Sequence, residues 1–515
     1  MHDPDGATEA PEPVVTGAST DVGTQSFLAA AILGTAGSLI VALLGVVRTK
    51  GLALELDPAG LGRYGQISTI LLTLSAASGL GLGLGITKVV AETRARGEIG
   101  RLGFALGLAL VYPLALALVA GLLFAVSAPL AAPALLDSVE VLVIIAAAVG
   151  VPTMALQGPL LHSLQGFKDV AGAQAANVAY GVALTVATII GVIAGGLLGA
   201  VLALSLGNGF YALVLWLRLQ GLAARVGAAV RFREALGRQA VRDPLFRTLL
   251  TIGFASLIGG LFYGAAELGV RTMVLQQDSA DSAGIFQALN LFSLQVFAIV
   301  GISVAFSSFP AVAAARAVGD REETARAIDD PLRLSLMLSL PLILAVGLFR
   351  DEVIELVLST EFAPMSEYVP EQFAGDAIRV LAWALLAALI PLDLTRRWLA
   401  LVFAGALAYL AVAAAYPGAP LQGAVVGYLA AWSLMAAGAA ALLLRTGWWA
   451  PRRETLLALT FIIPLIALLV IEPSPLWQRA AALVTFGVLL AAVATHREER
   501  AAFLARATAV MRRRR

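Results

Sequence analysis

Three basic residues, Arg48, Lys50 and Arg271, stand out in a mostly apolar chain that carries few charges. Each follows an apolar run of about the 20 residues that a helix needs to cross a bilayer. The planar guanidinium of arginine donates two parallel hydrogen bonds to phosphate oxygens, so Arg48 and Arg271 are candidates for binding an anionic phosphate group. The alternative role is structural, because arginine and lysine near a helix end also reach to lipid headgroups.

Two further charges accompany the apolar runs. Glu267 precedes Arg271 by four residues, which places both side chains on one face of a helix. Inside a membrane, this carboxylate could pair with Arg271, act as a protonatable or cation-coupled switch, or compete with phosphate for Arg271. Lys88 precedes Glu92 by the same spacing, which predicts a salt bridge at the boundary of the second apolar run.

The composition excludes several other kinds of site. Cysteine is absent, which removes disulfides, thiolate catalysis and cysteine-based metal sites. The chain has only three, widely spaced histidines, so neither a transition-metal site nor a catalytic triad is expected. The net charge of +1 gives no sign of a nucleic-acid partner. The sequence contains no GxxxxGK[ST] motif, and the glycines from Gly79 to Gly85 lie inside an apolar run, where they predict close packing or flexing. We therefore expect no cofactor.

Membrane-spanning helices must position these residues. With 59% hydrophobic and 13% charged residues, a soluble globule would have more apolar surface than it could bury. The apolar runs predict an all-α transmembrane bundle of fourteen spans. They lie at about 26–47, 64–90, 102–127, 137–161, 172–195, 197–217, 248–270, 283–310, 333–349, 377–393, 398–416, 421–444, 454–471 and 477–495. The tenth run is short, and Pro391 follows it closely.

The loop arginines predict how the chain is oriented. They concentrate in every second loop and in the tail 496–515, which places both termini in the cytoplasm by the positive-inside rule. Residues 1–25 carry several acids and no lysine or arginine, so they predict a cytoplasmic tail and not a signal peptide. The expected location is the cytoplasmic membrane.

An internal repeat divides the chain. The sequence LGVVRTKGLALELDPAGLGRYGQ begins at Leu44, and LGVRTMVLQQDSADSAGIFQ begins at Leu268. Each contains an arginine, an acidic turn, a glycine and an aromatic residue, and six predicted spans separate the two copies. This predicts two parallel six-helix lobes, 26–217 and 248–444, joined by the basic linker 218–247 and followed by two extra spans within 454–495. Substrate sites in such folds lie between the lobes.

One stretch, RTKGLALELDPAGLGRYGQISTILLTLSAASGLGLGLGITKVVAE, resembles the opening block of the polysaccharide-biosynthesis or oligosaccharide flippases. The blocks LQGFKDVAGAQAANVAYGVALTVATIIGVIAGGLLGA and FPAVAAARAVGDREETARAIDDPLRLSLMLSLPLILAVGLFRDEVIELVLSTEF are also similar to that family, and the likeness fades after Arg379. The resemblance implies the multidrug/oligosaccharidyl-lipid/polysaccharide exporter superfamily. In that superfamily two six-helix lobes rock to expose a central cavity to either membrane face.

The resemblance implies a flippase, and not an enzyme, that moves polyprenyl-phosphate- or diphosphate-linked oligosaccharide for cell-surface polysaccharide or glycan assembly. Its partners would be that substrate, membrane lipids and glycan-assembly enzymes. The cavity residues expected to bind phosphate are Arg48, Lys50, Arg271 and Lys88, and Glu267 would couple or gate transport. The amides that could contact sugar hydroxyls, or instead link helices, are Gln157, Asn177, Gln287 and Asn290.

Two alternatives remain open. A cation-coupled drug or metabolite antiporter of the same superfamily would have little need for arginines that bind phosphate. A membrane glycan polymerase, ligase or transferase would depend instead on acidic residues of the predicted outside loop from Asp351 to Asp376. The flippase hypothesis explains these acids more simply, as solvated loop charges.

Overall fold

The computed structural model describes residue 37 and residues 40–136, 140–167, 169–317, 319–471 and 475–495. The predictions for the tails 1–25 and 496–515, and for most of the first span, lie outside these residues. The described chain is helical almost throughout and contains no β-strand. The predicted all-α class is therefore confirmed for this part of the protein.

The helices are numbered in chain order. The first half contains α1 (40–55), α2 (Pro58–Ser78), α3 (Gly83–Ala95), α4 (Ile99–Val126), α5 (Ala128–Leu136), α6 (Val141–Gly166), α7 (Val170–Arg225) and α8 (Phe232–Leu236). The second half contains α9 (Pro244–Gln277), α10 (Ala280–Ala317), α11 (Arg321–Leu348), α12 (Arg350–Val357), α13 (Val369–Leu389), α14 (Thr395–Ala414), α15 (Pro420–Thr446), α16 (Arg453–Thr460), α17 (Ile462–Val470) and α18 (Leu476–Ala494). Short 3₁₀ helices cover Ala240–Arg242 and Thr360–Tyr368.

Nine helical segments of the described chain are long and apolar enough to cross a membrane. These nine segments account for ten predicted spans, 3 to 6 and 9 to 14. Helix α7 contains two of these spans, and α16 together with α17 makes one. Predicted spans 2, 7 and 8 correspond to α2 with α3, to α9 and to α10. Between α16 and α17 the helix breaks at Phe461, where the ring of Pro464 would clash with the carbonyl of Thr460.

The fifth and sixth spans meet at a two-glycine turn inside α7. Gly195 has φ −148° and Gly196 has φ 54°, and neither conformation is helical. A Cβ on Gly191 would lie 2.4 Å from the carbonyl oxygen of Gly199, so the backbones on either side of the turn are in direct contact. The two halves of α7 therefore pack as an antiparallel hairpin that turns at the predicted boundary.

The prediction of one continuous second span is wrong. The chain breaks between α2 and α3, where Leu80 has φ 53° and Gly81 has φ 61°. A Cβ on Gly81 would lie only 2.2 Å from the carbonyl oxygen of Gly253 in α9. The backbone of α9 thus packs directly against the break, and only glycine fits both the conformation and the contact.

Several helix ends also differ from the prediction. The first and seventh spans were expected to end near Arg48 and Arg271, but α1 continues to residue 55 and α9 to Gln277. Both arginines therefore lie about 10 Å inside their helices. No proline follows either arginine within the next turn, and the acidic turns lie farther along the chain.

The predicted outside loop from Asp351 to Asp376 is also wrong in part. It forms α12, a 3₁₀ helix and the first two turns of α13, which begins at Val369 and not at residue 377. Pro370 lies in the first turn of α13, where its fixed φ suits the start of a helix. Asp376 and Arg379 are consequently inside a helix of 21 residues.

The packing brings early and late helices together. Helix α2 lies against α10 and α9, while α4, α6 and α7 form one set of neighbours and α13, α14 and α15 form another. Helices α16 to α18 pack on α11, where the buried carboxylate of Asp329 accepts hydrogen bonds from Trp449 and Thr455. The outward faces of α4 and α7 expose leucine, isoleucine and valine side chains, as expected of surfaces that meet lipid.

Candidate functional site

The contact between α2 and the helices α9 and α10 is formed by glycines. A Cβ on Gly284 would lie 1.7 Å from the carbonyl oxygen of Pro58, and a Cβ on Gly62 would lie 2.7 Å from the amide nitrogen of Gly284. Gly62 and Gly284 are the paired glycines of the predicted internal repeat, so the two stretches that the prediction pairs touch each other here. We call this contact the α2–α9–α10 seam.

Arg271 is buried at the seam, with 6% of its surface exposed. Its guanidinium donates to Oε1 of Glu267, at 3.2 Å from Nη2, and to Oε1 of Gln287. It also lies over the ring of Phe286, 5.3 Å from the ring centre. Gly65 leaves room for this arrangement, because a Cβ there would lie 2.2 Å from the Gln287 amide carbon. Three predicted site residues, Glu267, Arg271 and Gln287, are thus in direct contact.

A second polar contact crosses the seam one residue beyond Arg271. The Gln66 amide donates to the hydroxyl of Thr272 at 2.9 Å. Because Gln66 belongs to α2 and Thr272 to α9, this hydrogen bond links the two halves of the chain directly. The seam combines close backbone contact with a few buried polar groups, and both are set within the apolar core that α2, α9 and α10 share.

Arg48 occupies the matching position in the first repeat but has a different environment. Its side chain is half-buried and lies near Tyr64 and Tyr180. Within the described residues it has no hydrogen-bond acceptor and no carboxylate partner. Arg48 therefore keeps its hydrogen-bonding capacity available, whereas Arg271 is fully engaged.

Lys50 lies on the same helix but binds elsewhere. Its Nζ donates to the backbone carbonyl of Glu355 at 3.0 Å and to that of Leu358. These carbonyls are at the C-terminal end of α12, where the helix dipole favours a cation. Lys50 thus holds α1 against α12 and is occupied by that contact.

The other predicted site residues are dispersed. Lys88 and Glu92 are both exposed, and their charged atoms lie 3.8 Å apart, which agrees with the predicted salt bridge between them. The Gln157 amide donates to Oδ1 of Asn208 at 2.7 Å, which links α6 to α7. Asn290 donates to a backbone carbonyl of its own helix, and Asn177 is half-buried without a hydrogen bond to the described chain. Gln157 therefore makes the helix-linking contact that was weighed against sugar binding, whereas the bond of Asn290 stays within α10.

A buried polar network in α10, α13 and α15 was missed. Asp376 accepts hydrogen bonds from the Tyr428 hydroxyl and from Ser293, each at 2.7 Å. Arg379 donates to the same tyrosine at 3.1 Å, and Gln372 donates to Ser293 at 2.8 Å. The spacing of Asp376 and Arg379 places both on one helix face, and Pro370 was the available signal that a helix starts before them.

The described residues contain no group of three or more histidine, cysteine, aspartate or glutamate side chains that could hold a metal ion. On the predicted outer side, Glu352 forms an ion pair with Arg479 at 2.8 Å, and Asp351 accepts from Ser366 at 2.6 Å. These acids are engaged in holding α12 to its neighbours.

Comparisons with known proteins agree with the resemblance seen in the sequence. Residues 111–367 match the family model described as "Polysaccharide biosynthesis protein". The chain is 26% identical over 371 residues to the lipid III flippase of Escherichia coli (strain K12), covering 69% of this chain and 83% of the relative. The lipid III flippase of Shigella flexneri matches to the same extent. The predicted resemblance to the polysaccharide-biosynthesis flippases is confirmed.

Solved structures share the fold. An inward-facing multidrug resistance MATE family transporter of the MOP superfamily superposes with a TM-score of 0.65 at 15% identity, over 84% of this chain and 98% of that one. The lipid II flippase MurJ in an inward closed conformation superposes with a TM-score of 0.64 at 11% identity, over 90% of this chain and 98% of that one. At these identities the likeness establishes the architecture and nothing more.

Proposed function

We propose that this multi-pass membrane protein is a flippase that moves polyprenyl-phosphate- or diphosphate-linked oligosaccharide across the cytoplasmic membrane by alternating access. The similarity to lipid III flippases over 83% of their length supports a lipid-linked substrate. The family match to polysaccharide biosynthesis proteins supports a role in cell-surface polysaccharide or glycan assembly. In this proposal the chain is a transporter and not an enzyme, and both of its termini are cytoplasmic.

The substrate class sets a physical requirement. A phosphate and a hydrated glycan are both costly to move through hydrocarbon, so the protein must offer a polar path with positive charge. The environment of Arg48 is the structural observation on which the proposal depends most. It lies about two turns inside α1, half-buried, with its donors unoccupied by the described chain. A fixed cation in that position is suited to a phosphate that enters beside the seam.

Arg271 has a different role in the proposal, because its present partner Glu267 can be exchanged for a substrate phosphate. Glu267 and Gln287 hold its guanidinium while no anion is present. A substrate phosphate would displace Glu267, because two phosphate oxygens match the guanidinium fork better than one carboxylate oxygen does. The released carboxylate would then be free to take a proton or cation, which couples substrate binding to a change at the seam.

The proposal also explains the contacts between the two halves. Alternating access requires that one side open while the other stays closed. Lys50 bound to α12 and the Gly62–Gly284 contact hold the predicted outer side together. The contact of Gly81 with Gly253 lies farther along the chain, at the break between α2 and α3. Direct backbone contacts of this kind leave one closed arrangement with little intermediate freedom.

The test is translocation of a fluorescent polyprenyl-diphosphate oligosaccharide in proteoliposomes. We expect transport by the wild type, a loss of at least about tenfold in Arg48→Ala, and partial activity in Arg48→Lys, which keeps the charge but not the fork. Arg63→Ala is the matched control, because within the described residues Arg63 donates to the backbone carbonyl of Leu136 and has no acidic partner. Equal transport by wild type and Arg48→Ala would overturn the phosphate site, and no transport by the wild type would overturn the proposed function.

A cation-coupled antiporter of the same superfamily is the second candidate, favoured by the two membrane carboxylates Glu267 and Asp376. It predicts efflux of small amphiphiles that depends on these acids and is unaffected by Arg48→Ala. A membrane glycan polymerase, ligase or transferase would instead lose product formation when Glu352 or Asp351 is replaced. The same set of variants therefore separates the three hypotheses.

A further inference from the structure

The basic linker between the two repeats forms a cleft that the transport proposal does not use. The cleft has a volume of about 740 Å³ and lies between the first turns of α4 and the linker around α8. Its side chains include Arg101 and Phe104 from α4 and Arg231 and Arg238 from the linker, with the acids Glu234 and Asp243 at its edge. The positive-inside rule places this region on the cytoplasmic face.

Glycines of α4 fix the linker in position. The amide of Arg231 donates to the carbonyl oxygen of Gly103 at 3.1 Å. A Cβ on Gly103 would lie 2.2 Å from the carbonyl oxygen of Ala229, and one on Gly107 would lie 2.7 Å from that of Arg231. The linker backbone therefore lies directly on α4, and the cleft exists before any ligand arrives.

The charges of the cleft favour an anion. Within the described chain, Arg231 and Arg101 pair with acids of their own segments, Glu234 at 2.9 Å and Glu98 at 3.5 Å. Asp243 is engaged in capping α9, since it accepts from the amide of Leu245. Arg238 makes no hydrogen bond or ion pair with the described chain. The linker 218–247 as a whole carries seven arginines and two acids, Glu234 and Asp243, so the electrostatic potential at its surface is positive.

Apolar side chains beside the cleft indicate which anion it meets. Phe232, Leu236 and Val241 are 42%, 69% and 56% exposed. Trp216, near the end of α7, packs against Phe232 with a ring separation of 5.8 Å. Exposed apolar residues next to arginines, with a tryptophan at the same level, are typical of a segment that lies in the lipid headgroup region.

We propose that this cleft binds the phosphate headgroup of an anionic phospholipid of the cytoplasmic leaflet. The guanidinium groups of Arg231 and Arg238 donate to the phosphate, and Phe232 and Leu236 contact the acyl chains next to the headgroup. A soluble phosphate would satisfy the arginines but would leave these apolar side chains in water. A bound lipid would attach the linker to the membrane and thereby fix the connection between the two halves of the chain.

The test is native mass spectrometry of the full chain in detergent with added phosphatidylglycerol or phosphatidylcholine. We expect a preference for phosphatidylglycerol, and a loss of that affinity by about ten- to thirtyfold in Arg231→Gln/Arg238→Gln. The matched control is Arg396→Gln/Arg397→Gln, which removes two exposed arginines of α14 on the same predicted face. The control should retain wild-type affinity. All four side chains are exposed, and thermal unfolding verifies that both variants are folded.

Three results would overturn the proposal. Equal losses in the two double variants would mean that overall charge, and not the cleft, attracts the lipid. Unchanged binding in Arg231→Gln/Arg238→Gln would mean that the lipid binds elsewhere. Displacement of phosphatidylglycerol by inorganic diphosphate, or a preference for polyprenyl phosphate over phosphatidylglycerol, would assign the cleft to a different ligand. None of these measurements depends on transport, so they are independent of the proposed flippase activity.

Discussion

At the residue scale, Arg48 and Arg271 occupy matching positions of the predicted repeat but have different environments. Arg271 is neutralised by Glu267 and donates a hydrogen bond to Gln287, whereas Arg48 lies near Tyr64 and Tyr180 and has no carboxylate partner among the described residues. A buried charge without a partner is expensive, so binding an anion would lower the cost of holding Arg48 half-buried. The asymmetry makes Arg48 the first phosphate contact in our proposal and Arg271 the second.

Asp376 provides a prediction about stability. Replacing it by alanine leaves the Tyr428 and Ser293 donors without their acceptor, which should destabilise the protein by about 2–4 kcal/mol. Asp376→Asn keeps one acceptor oxygen and should cost about half as much. Thermal unfolding in detergent measures both variants. An Asp376→Ala protein as stable as the wild type would mean that water or a rearranged neighbour satisfies these groups.

The site residues were predictable from sequence only in part. Glu267 and Arg271 could be paired because four residues separate them on a helix, and the structure makes that contact. Their contact with Gln287 depends on how α9 and α10 pack, which spacing along one helix does not reveal. Asp376 was assigned to a loop because its neighbours Glu367 and Glu371 are polar, and this polarity outweighed the helix-start signal of Pro370.

At the element scale, glycines decide where helices approach each other. We expect Gly284→Ala to separate α10 from α2, because the added Cβ would lie 1.7 Å from a backbone oxygen that cannot move alone. The cost should be about 1–3 kcal/mol in thermal unfolding. Gly158→Ala in α6 is the control, since a Cβ there meets nothing within 4 Å and should be neutral or slightly stabilising. Equal stability of the two variants would contradict the close contact.

Asp169 links the start of α7 to its end and predicts a pH dependence. It accepts from the Gly172 amide and from Arg218 at 2.7 Å, and the hydrogen bond from Arg218 lowers the pKa of the Asp169 carboxyl. A lowered folded-state pKa contributes stability above the unfolded pKa of about 4, and this contribution is lost as the pH falls through the folded value. Asp169→Asn should therefore cost about 1 kcal/mol at neutral pH.

The measurement for Asp169 is a series of thermal unfolding curves at decreasing pH. The stability difference between wild type and Asp169→Asn should shrink as the pH drops below about 4, because the wild-type carboxyl then becomes neutral as well. A difference that stays constant down to the lowest pH would show that the carboxylate charge does not contribute.

The lengths of the apolar runs predicted most of the helices, but they did not predict every place where a helix breaks. The boundary between the fifth and sixth spans was placed correctly because two adjacent glycines mark it. The break between α2 and α3 was not, because the glycine run from Gly79 is compatible with either a straight or a broken helix. The contact with Gly253, far along the chain, is what stabilises the broken form.

At the scale of the whole molecule, Lys50 is a contact that should control opening of the predicted outer side. Lys50→Ala removes the donor to the end of α12, so we expect the open arrangement to be more populated. The chain has no cysteine, so Thr272→Cys introduces a single thiol at the seam. Labelling by a membrane-impermeant maleimide should be severalfold faster in Thr272→Cys/Lys50→Ala than in Thr272→Cys.

The matched control for this experiment is Thr272→Cys/Lys88→Ala. Lys88 is an exposed lysine at the opposite end of the α2–α3 unit, and its pair with Glu92 at 3.8 Å contributes little. Its labelling rate should equal that of Thr272→Cys alone. The same rate in all three proteins would contradict a role of Lys50 in holding the outer side closed.

The molecule as a whole was the most predictable level. Composition and apolar run lengths were sufficient for an all-α membrane bundle, because lipid allows few other structures. The internal repeat identified Gly62 and Gly284 as equivalent positions, but not that they would touch. That contact depends on how the two repeats are placed against each other, a relation that no local pattern encodes.

The glycine turn inside α7 has a consequence for how the protein is made. Between Gly195 and Gly196 there is no polar loop, and Gly191 and Gly199 bring the two halves into backbone contact. We therefore expect the fifth and sixth spans to enter the lipid together, as one unit. The folded protein has no exposed polar loop at this position that a protease could cleave, an antibody could bind or a glycosyltransferase could modify.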